Sequence, residues 1–232
     1  MRKTLLIAAL LVSFASYSQK HGFVSTFGGL GIPLSDYRLG GYAALGTNFG
    51  IEGGYYFNKS IGIGLRVAST SNNFDTYYYF ADFKRDLKSL GVDYTYLSAE
   101  AGKWSLLNFG LGIYSTINIS EKFKIETKGV FGLLSVKSPY IDVSVETDDF
   151  DMTLYQESSS VTSFQYNADI GFKYFISEEF SINIYGGLIG ANPYFSSKIE
   201  TTIDGDKSYD IDRYYQRILL INTGIGLTYI LK

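Results

Sequence analysis

The sequence contains no cysteine, and it has one histidine and three prolines among its 232 residues. Without cysteine, a structural disulfide, a thiolate metal site and a cysteine nucleophile are all excluded. No uninterrupted apolar run approaches the roughly 20 residues that a membrane-spanning helix requires. The net charge of −3 argues against nucleic acid as a partner.

The first 18 residues have the layout of a secretory signal. Arg2 and Lys3 are followed by a short apolar core from Leu5, and Ser16 and Ser18 supply small residues before Gln19. We therefore predict a cleaved signal peptide at residues 1–18 and one exported domain at 19–232, in preference to a buried N-terminal helix.

Alternating side chains mark the stretch from Phe164 to Ala191. Even positions from Phe164 to Ile176 are apolar, whereas odd positions are mostly polar and include Asp169 and Lys173. The alternation resumes at Phe180, after a polar Ser-Glu-Glu. Because side chains on a strand point to opposite faces in turn, this pattern predicts a β-hairpin with one apolar face.

Two further hairpins of the same kind precede this one, at residues 49–67 and 109–133. Their polar turns and that of the third hairpin begin at Asn58, Ser120 and Ser177, which are 62 and 57 residues apart. With one strand before them (His21–Ile32) and one after (Gln216–Leu231), the sequence predicts eight strands.

Short turns alternate with much longer connections, near residues 33–43, 71–103, 137–163 and 195–215. An even number of strands with short turns at one end and long loops at the other is typical of an outer-membrane barrel. We predict an all-β fold, an eight-stranded antiparallel up-and-down transmembrane β-barrel with long extracellular loops and short periplasmic turns. A secreted β-sandwich is the alternative.

The presumed outer face of the strands carries no charge, as contact with lipid would require. Aromatic residues on this face crowd beside the short turns, where the edge of a bilayer favours them. The predicted aromatic girdle comprises Tyr55, Phe57, Phe123, Phe172, Tyr174, Phe180 and Tyr229.

The opposite face carries charges of both signs among many glycines. An eight-stranded barrel is narrow enough for side chains to fill it, so these charges are expected to pair. The register of the first turn places Glu52 opposite Arg66. Structural filling is preferred over a conduction path. The predicted lumen charge network comprises Glu52, Arg66, Lys124, Glu126, Lys128, Asp169 and Lys173.

The long connections contain structure of their own. Asp204-Gly205 between two alternating segments predicts a hairpin, Tyr140–Val145 predicts a strand, and Phe83–Leu90 predicts a short helix. An aromatic run is the candidate adhesive surface, its alternative being a strand extension packed on its own loop. The surface-loop contact candidates are Tyr77, Tyr78, Tyr79, Phe80 and Phe83.

Little in the sequence points to catalysis. The only histidine, His21, begins the first predicted strand and cannot reach the long loops, so a Ser–His or Asp–His mechanism is excluded. Asp204, Asp206, Asp210 and Asp212 offer a weak surface Ca²⁺ site, but their spacing does not match an EF-hand loop. We expect no enzyme activity and no cofactor.

The signal, the Tyr-Phe before a polar turn, the GVFGLLSVKSP stretch at 129–139 and the terminal strand resemble the small outer-membrane β-barrel families of Gram-negative bacteria, of the OmpA/OmpX type. In such barrels the last strand carries an assembly signal, which Gly226, Tyr229 and Leu231 fit loosely, with Lys232 after them in place of the usual terminal aromatic. The resemblance implies outer-membrane lipid and the barrel-assembly machinery as partners.

We therefore expect an outer-membrane protein with a structural or surface-interaction role. The alternatives are a narrow channel or carrier for small molecules, like the OmpW type, and an accessory subunit of a secretion or assembly machine.

Overall fold

A computed structural model describes residues 21–34 and 41–231 of the chain. The predicted signal peptide lies outside these residues. Within them there are thirteen strands and one helix: β1 His21–Pro33, β2 Ala43–Tyr56, β3 Ile61–Phe74, α1 Thr76–Ser89, β4 Tyr96–Ala101, β5 Trp104–Asn118, β6 Phe123–Lys137, β7 Ile141–Glu146, β8 Asp151–Gln156, β9 Ser160–Phe175, β10 Phe180–Ala191, β11 Tyr194–Ile203, β12 Asp206–Tyr215 and β13 Ile218–Leu231.

Eight of the strands form a closed antiparallel barrel in the order β1-β13-β10-β9-β6-β5-β3-β2. They are the eight strands predicted from the sequence, so the predicted fold class is confirmed. Each barrel strand has 12 to 16 residues, more than the roughly 9–11 that a tilted strand needs to cross a bilayer.

In each of the three short turns, the first residue uses its side-chain oxygen to accept a hydrogen bond from the backbone of the turn. The Asn58 side chain accepts hydrogen bonds from the backbone N–H groups of Ser60 and Ile61, both at 2.8 Å. Ser120 and Ser177 each accept one from the N–H three residues later, both at 3.1 Å. Side chains that mimic a backbone turn in this way favour tight reversals, which explains the recurrence of Asn and Ser at these positions.

The other five strands form a second sheet in the order β12-β11-β8-β7-β4. They come from three of the long connections and lie at the end opposite the short turns, which is the extracellular end. We call these strands together with α1 the extracellular head. The predicted hairpin around Asp204-Gly205 is β11–β12, and both turn residues have positive φ, 51° and 90°.

The helix in the head differs from its prediction. It runs over Thr76–Ser89 rather than starting at Phe83, so the aromatic run at residues 77–80 is helical and the strand-extension alternative is wrong. Asp75 caps the first turn by accepting a hydrogen bond from the Tyr78 N–H at 3.2 Å, and Gly91, with φ of 74°, follows the helix. Within the described residues, no helix has both the length and the apolar character needed to span a membrane.

Alternation sorts the side chains as predicted. On β5, for example, Leu111 and Ile113 are about 60% exposed on the outside, whereas Tyr114 is fully buried inside. The first strand, neither of whose faces is clearly polar in sequence, directs Phe23 and Phe27 inward and Val24 and Leu30 outward. The core is therefore inside the barrel and continues into the head.

Candidate functional site

Six of the seven predicted lumen charges form one layer in the periplasmic half of the barrel. Arg66 pairs with Asp169, and Lys128 pairs with Glu52. Lys128 also contacts Glu126, with its Nζ 2.9 Å from Oε2, and Glu126 pairs in turn with Lys173. Three cations and three carboxylates therefore neutralise one another, as buried charges must to avoid a large desolvation cost.

Aromatic side chains complete this layer. Tyr56 donates a hydrogen bond of 2.7 Å to Glu126, and Tyr114 donates one of 3.1 Å to Glu52. The guanidinium of Arg66 lies 4.4 Å from the centre of the Phe27 ring, in cation–π contact. A Cβ at Gly187 would lie 1.6 Å from Asp169 Oδ1, so this glycine makes room for the carboxylate.

Glu52 and Arg66 are directly opposite each other on β2 and β3, which confirms the predicted register. Their ion-pair partners, however, come from other strands. Arg66 reaches across the lumen to β9, and Glu52 reaches Lys128 on β6. The register between neighbouring strands is therefore not enough to predict which charged residues form ion pairs inside a closed barrel.

Lys124, the seventh predicted charge, is not part of this neutral layer. It lies at the periplasmic mouth, with its Nζ 4.7 Å from the centre of the Phe175 ring. It forms no ion pair with any residue that the structure describes. Lys124 is therefore a positive charge in excess of a balanced network.

A second lumen layer, which the sequence reasoning missed, consists of amides in the middle of the barrel. Asn108 donates a hydrogen bond of 2.6 Å to Gln165, and Asn48 donates one of 2.7 Å to Thr70. The alternation of even and odd positions that assigns the charged residues to the lumen also places these amides there. The sequence therefore contained the information that predicts this layer. The buried amides of this layer are Asn48, Asn72, Asn108, Gln165, Asn167 and Asn222.

The third layer closes the extracellular end with apolar side chains. Trp104 and Leu106 of β5 point inward at the rim, and they pack in one cluster with residues of the head such as Val143 and Phe195. The Trp104 and Phe195 rings meet edge to face, 5.9 Å between centres. The buried members of this cluster, the apolar plug, are Phe74, Leu87, Trp104, Leu106, Leu134, Val136, Ile141, Val143, Val145, Ala191, Phe195, Ile218 and Leu220.

The residues of the predicted girdle lie on the outside of the barrel beside the short turns. Phe123 and Tyr174 are cross-strand neighbours with ring centres 4.9 Å apart, and Phe180 and Tyr229 are neighbours at 5.0 Å. Tyr55 and Phe57 lie at the end of β2, and their ring centres are 5.9 Å apart. Phe172, also outward, is 56% exposed.

The surface-loop candidates divide into two groups because they lie on a helix rather than in a loop. Tyr77 is 76% exposed and Tyr78 is 41% exposed, whereas Phe80 is half-buried beneath Lys84. Tyr79 and Phe83 instead pack against the apolar plug, and burial raises the pKa of the Tyr79 phenol. These two residues are therefore not surface contacts.

A larger exposed surface lies on the outer face of β11 and β12, and the sequence reasoning did not single it out. Lys198 lies 4.5 Å above the centre of the Tyr209 ring, and the Tyr194 and Tyr215 rings meet at a tilt of 48°, with 4.7 Å between ring centres. Alternation in the sequence predicts β12, but it does not show that none of the described elements covers this face. The outer-face patch comprises Tyr194, Lys198, Tyr209, Ile211, Arg213 and Tyr215.

The aspartates near this hairpin do not converge on a metal site. Asp204 occupies the turn, where it accepts a hydrogen bond of 2.9 Å from the Asp151 N–H. Over residues 21–34 and 41–231, no group of three or more His, Cys, Asp or Glu side chains is arranged to hold a metal ion. The arrangement that the suggested Ca²⁺ site would need is therefore not found in this region.

Comparison with solved structures finds similar barrels at low sequence identity. Neisserial surface protein A is 11% identical, with 91% of this chain and 97% of that chain covered and a TM-score of 0.43. The attachment invasion locus protein Ail of Yersinia pestis is 14% identical (90% and 97% covered, TM-score 0.40). OprG of Pseudomonas aeruginosa is 13% identical (90% and 97% covered, TM-score 0.43).

No curated protein sequence matches the chain. The sequence model of one family, described as the outer membrane protein beta-barrel domain, matches residues 4–189. That match spans most of the chain and agrees with the closed barrel, the uncharged outer face and the short turns at one end. The chain therefore belongs to the outer-membrane β-barrel domain family, and it is an outer-membrane protein.

Proposed function

We propose that this protein is a non-enzymatic, non-conducting barrel that acts at the cell surface through its extracellular head. The observation that carries the proposal is the apolar plug. Inward side chains at the rims of β5, β6, β10 and β13 share one hydrophobic core with the head, so the lumen ends in packed side chains. A cavity of about 200 Å³ adjoins this core and is lined by Phe74, Trp104 and Ile141 among other residues. Leu106, Leu134 and Leu220 of the same core are each at most 4% exposed.

The layers beneath the plug support the same proposal. An ion crossing the lumen would have to separate the pairs that Arg66, Lys128 and Lys173 form with their carboxylates, all largely buried. Breaking such a pair leaves an uncompensated charge, at a cost of about 3–5 kcal/mol.

Planar-bilayer recording of the purified protein tests the absence of conduction. We expect no steady single-channel current. A steady current that changes when charge is reversed in Lys128→Glu or Asp169→Lys would instead support the alternative, a narrow channel for small molecules. Both variants first need to show the folded, heat-modifiable migration on gels, so that a leaking misfolded barrel is not counted.

The outer-face patch supports a role in surface contact. Tyr209 is 57% exposed, Ile211 56% and Tyr215 70%, and Arg213 and Lys198 lie beside them. Tyrosine and arginine are enriched where proteins bind one another, because they combine a large apolar area with hydrogen-bonding groups. The patch lies on β11 and on the edge strand β12, whose outer side pairs with no other strand that the structure describes and can accept a partner.

Site-specific photo-crosslinking in intact cells tests this contact. A benzophenone side chain at Tyr209 should give protein adducts, whereas one at the adjacent Ser208 should not, since Ser208 points to the opposite face of the same strand. Equal yields at the two positions, or none at either, would contradict the proposed patch. An adduct with a secretion or assembly component would favour the accessory-subunit role instead.

A further inference from the structure

The periplasmic mouth concentrates positive charge. Lys124 on β6 is directly opposite Lys173 on β9, and both side chains face the lumen. Like charges directly opposite on neighbouring strands destabilise a sheet. Lys173 is neutralised by Glu126, but Lys124 has no carboxylate partner among residues 21–34 and 41–231.

Lys124 lines a cavity of about 260 Å³ that is bounded inward by the ion-paired layer. Lys59 and Lys173 line it as well, and Glu178 is the one carboxylate among the lining residues that the structure describes. Asn58 and Asn118 contribute amide groups that can donate hydrogen bonds. The cavity is therefore cationic, with neutral donors beside the lysines.

We infer that this mouth is a binding site for a small soluble oxyanion, that is, a molecule bearing a phosphate or carboxylate group, from the periplasm. A charge-assisted hydrogen bond from Lys124 would relieve its repulsion with Lys173. The cavity is smaller than the roughly 300–1,000 Å³ of sites for drug-sized ligands, so the anion is small. Because Lys124 and Lys173 face the lumen rather than the lipid, the ligand comes from solution. The inference is independent of the plug at the opposite end.

Titration with inorganic phosphate and with succinate, followed by NMR of backbone amides, tests the site. The protein is held in maltoside micelles, which contain neither phosphate nor carboxylate, at constant ionic strength. We expect saturable shifts for at least one anion, confined to residues around Thr116, Asn118 and Lys124. Lys124→Gln should weaken that binding by about tenfold or more, and Lys124→Arg should retain most of it.

Lys122→Gln is the matched control. Lys122 is an exposed lysine in the same turn region but does not line the cavity. If Lys122→Gln weakens binding as much as Lys124→Gln does, the anion responds only to the net charge of this end and the site does not exist. Shifts that do not saturate with either anion would overturn the inference as well. Heat-modifiable migration confirms beforehand that each variant is folded.

Discussion

Arg66 illustrates, at the scale of single residues, how the lumen depends on complete pairing. Its side chain and that of Asp169 are each 2% exposed. Removing one member of a buried pair leaves the other charged and desolvated, so Arg66→Met should lower the free energy of unfolding by about 3–5 kcal/mol. Chemical unfolding in lipid vesicles, followed by the fluorescence of the single tryptophan, Trp104, measures the loss.

The double variant Arg66→Met/Asp169→Leu should recover much of that stability, since no uncompensated charge remains. Arg85→Met is the control, because the Arg85 side chain is 62% exposed in its pair with Asp82 and such pairs contribute about 0–1 kcal/mol. Equal losses in Arg66→Met and Arg85→Met would contradict the assigned role of the lumen pair.

Gly64 makes room for a lumen tyrosine. A Cβ at this position would lie 2.8 Å from both the Gly53 carbonyl oxygen and Cε2 of Tyr114. Because Tyr114 is fully buried and backbone cannot easily move, Gly64→Ala should destabilise the barrel by about 1–3 kcal/mol. The same unfolding assay measures this.

Gly129 provides the comparison, since a Cβ there would have no atom within 4 Å. Gly129→Ala should leave stability unchanged or slightly higher, because alanine restricts the unfolded chain. A larger loss in Gly129→Ala than in Gly64→Ala would refute this packing account.

Single residues also show what the sequence could reveal about the site. The position of Glu52 directly opposite Arg66 follows from the short turn between their strands and from the two-residue period of strand side chains. Both are local features of the sequence. The pairing of Arg66 with Asp169 joins residues 103 positions apart across the lumen. It depends on barrel diameter and strand stagger, which no local pattern encodes.

Among the elements, the strands and turns of the barrel were predictable and the helix was only partly so. The run of three tyrosines and a phenylalanine at 77–80 has high β-propensity, which obscured the first turns of α1. The Asp75 cap and the packing of Tyr79 and Phe83 against the apolar plug, to which Leu87 belongs, outweigh that preference.

The cap of α1 can be tested directly. Asp75→Ala removes the acceptor of the Tyr78 N–H and should destabilise the helix by about 0.5–2 kcal/mol. Hydrogen exchange of the α1 amides should therefore accelerate, whereas exchange in β5 and β6 should not change. Asp86→Ala, at the C-terminal end of the helix, should not accelerate exchange, because an acidic residue there opposes the helix dipole. Faster exchange throughout the barrel in Asp75→Ala would contradict a local role.

The second sheet illustrates a different limit. Alternation identified β7, β11 and β12 as strands, but not that β8 pairs with β11 or that β4 pairs with β7. These pairings join separate long loops, and their register depends on how the barrel rim positions each loop. The outer-face patch follows from that arrangement, so the sequence reasoning missed it as well.

At the scale of the whole molecule, three lumen layers succeed one another: paired charges, amides, and the apolar plug. The alternation that assigned an outer face to lipid also determined which residues fill the interior. It could not show that the interior is closed, because closure requires the head to pack onto the rim.

Thiol labelling inside the barrel tests closure most directly, since the chain has no native cysteine. Asn167, in the amide layer, is 1% exposed, whereas Lys124 lines the periplasmic mouth. A charged, water-soluble thiol reagent supplied on both sides of the membrane should label Lys124→Cys rapidly. It should leave Asn167→Cys unmodified until the protein is unfolded. Labelling of Asn167→Cys in the folded protein at a rate comparable to Lys124→Cys would show a water-filled lumen and contradict the closed barrel.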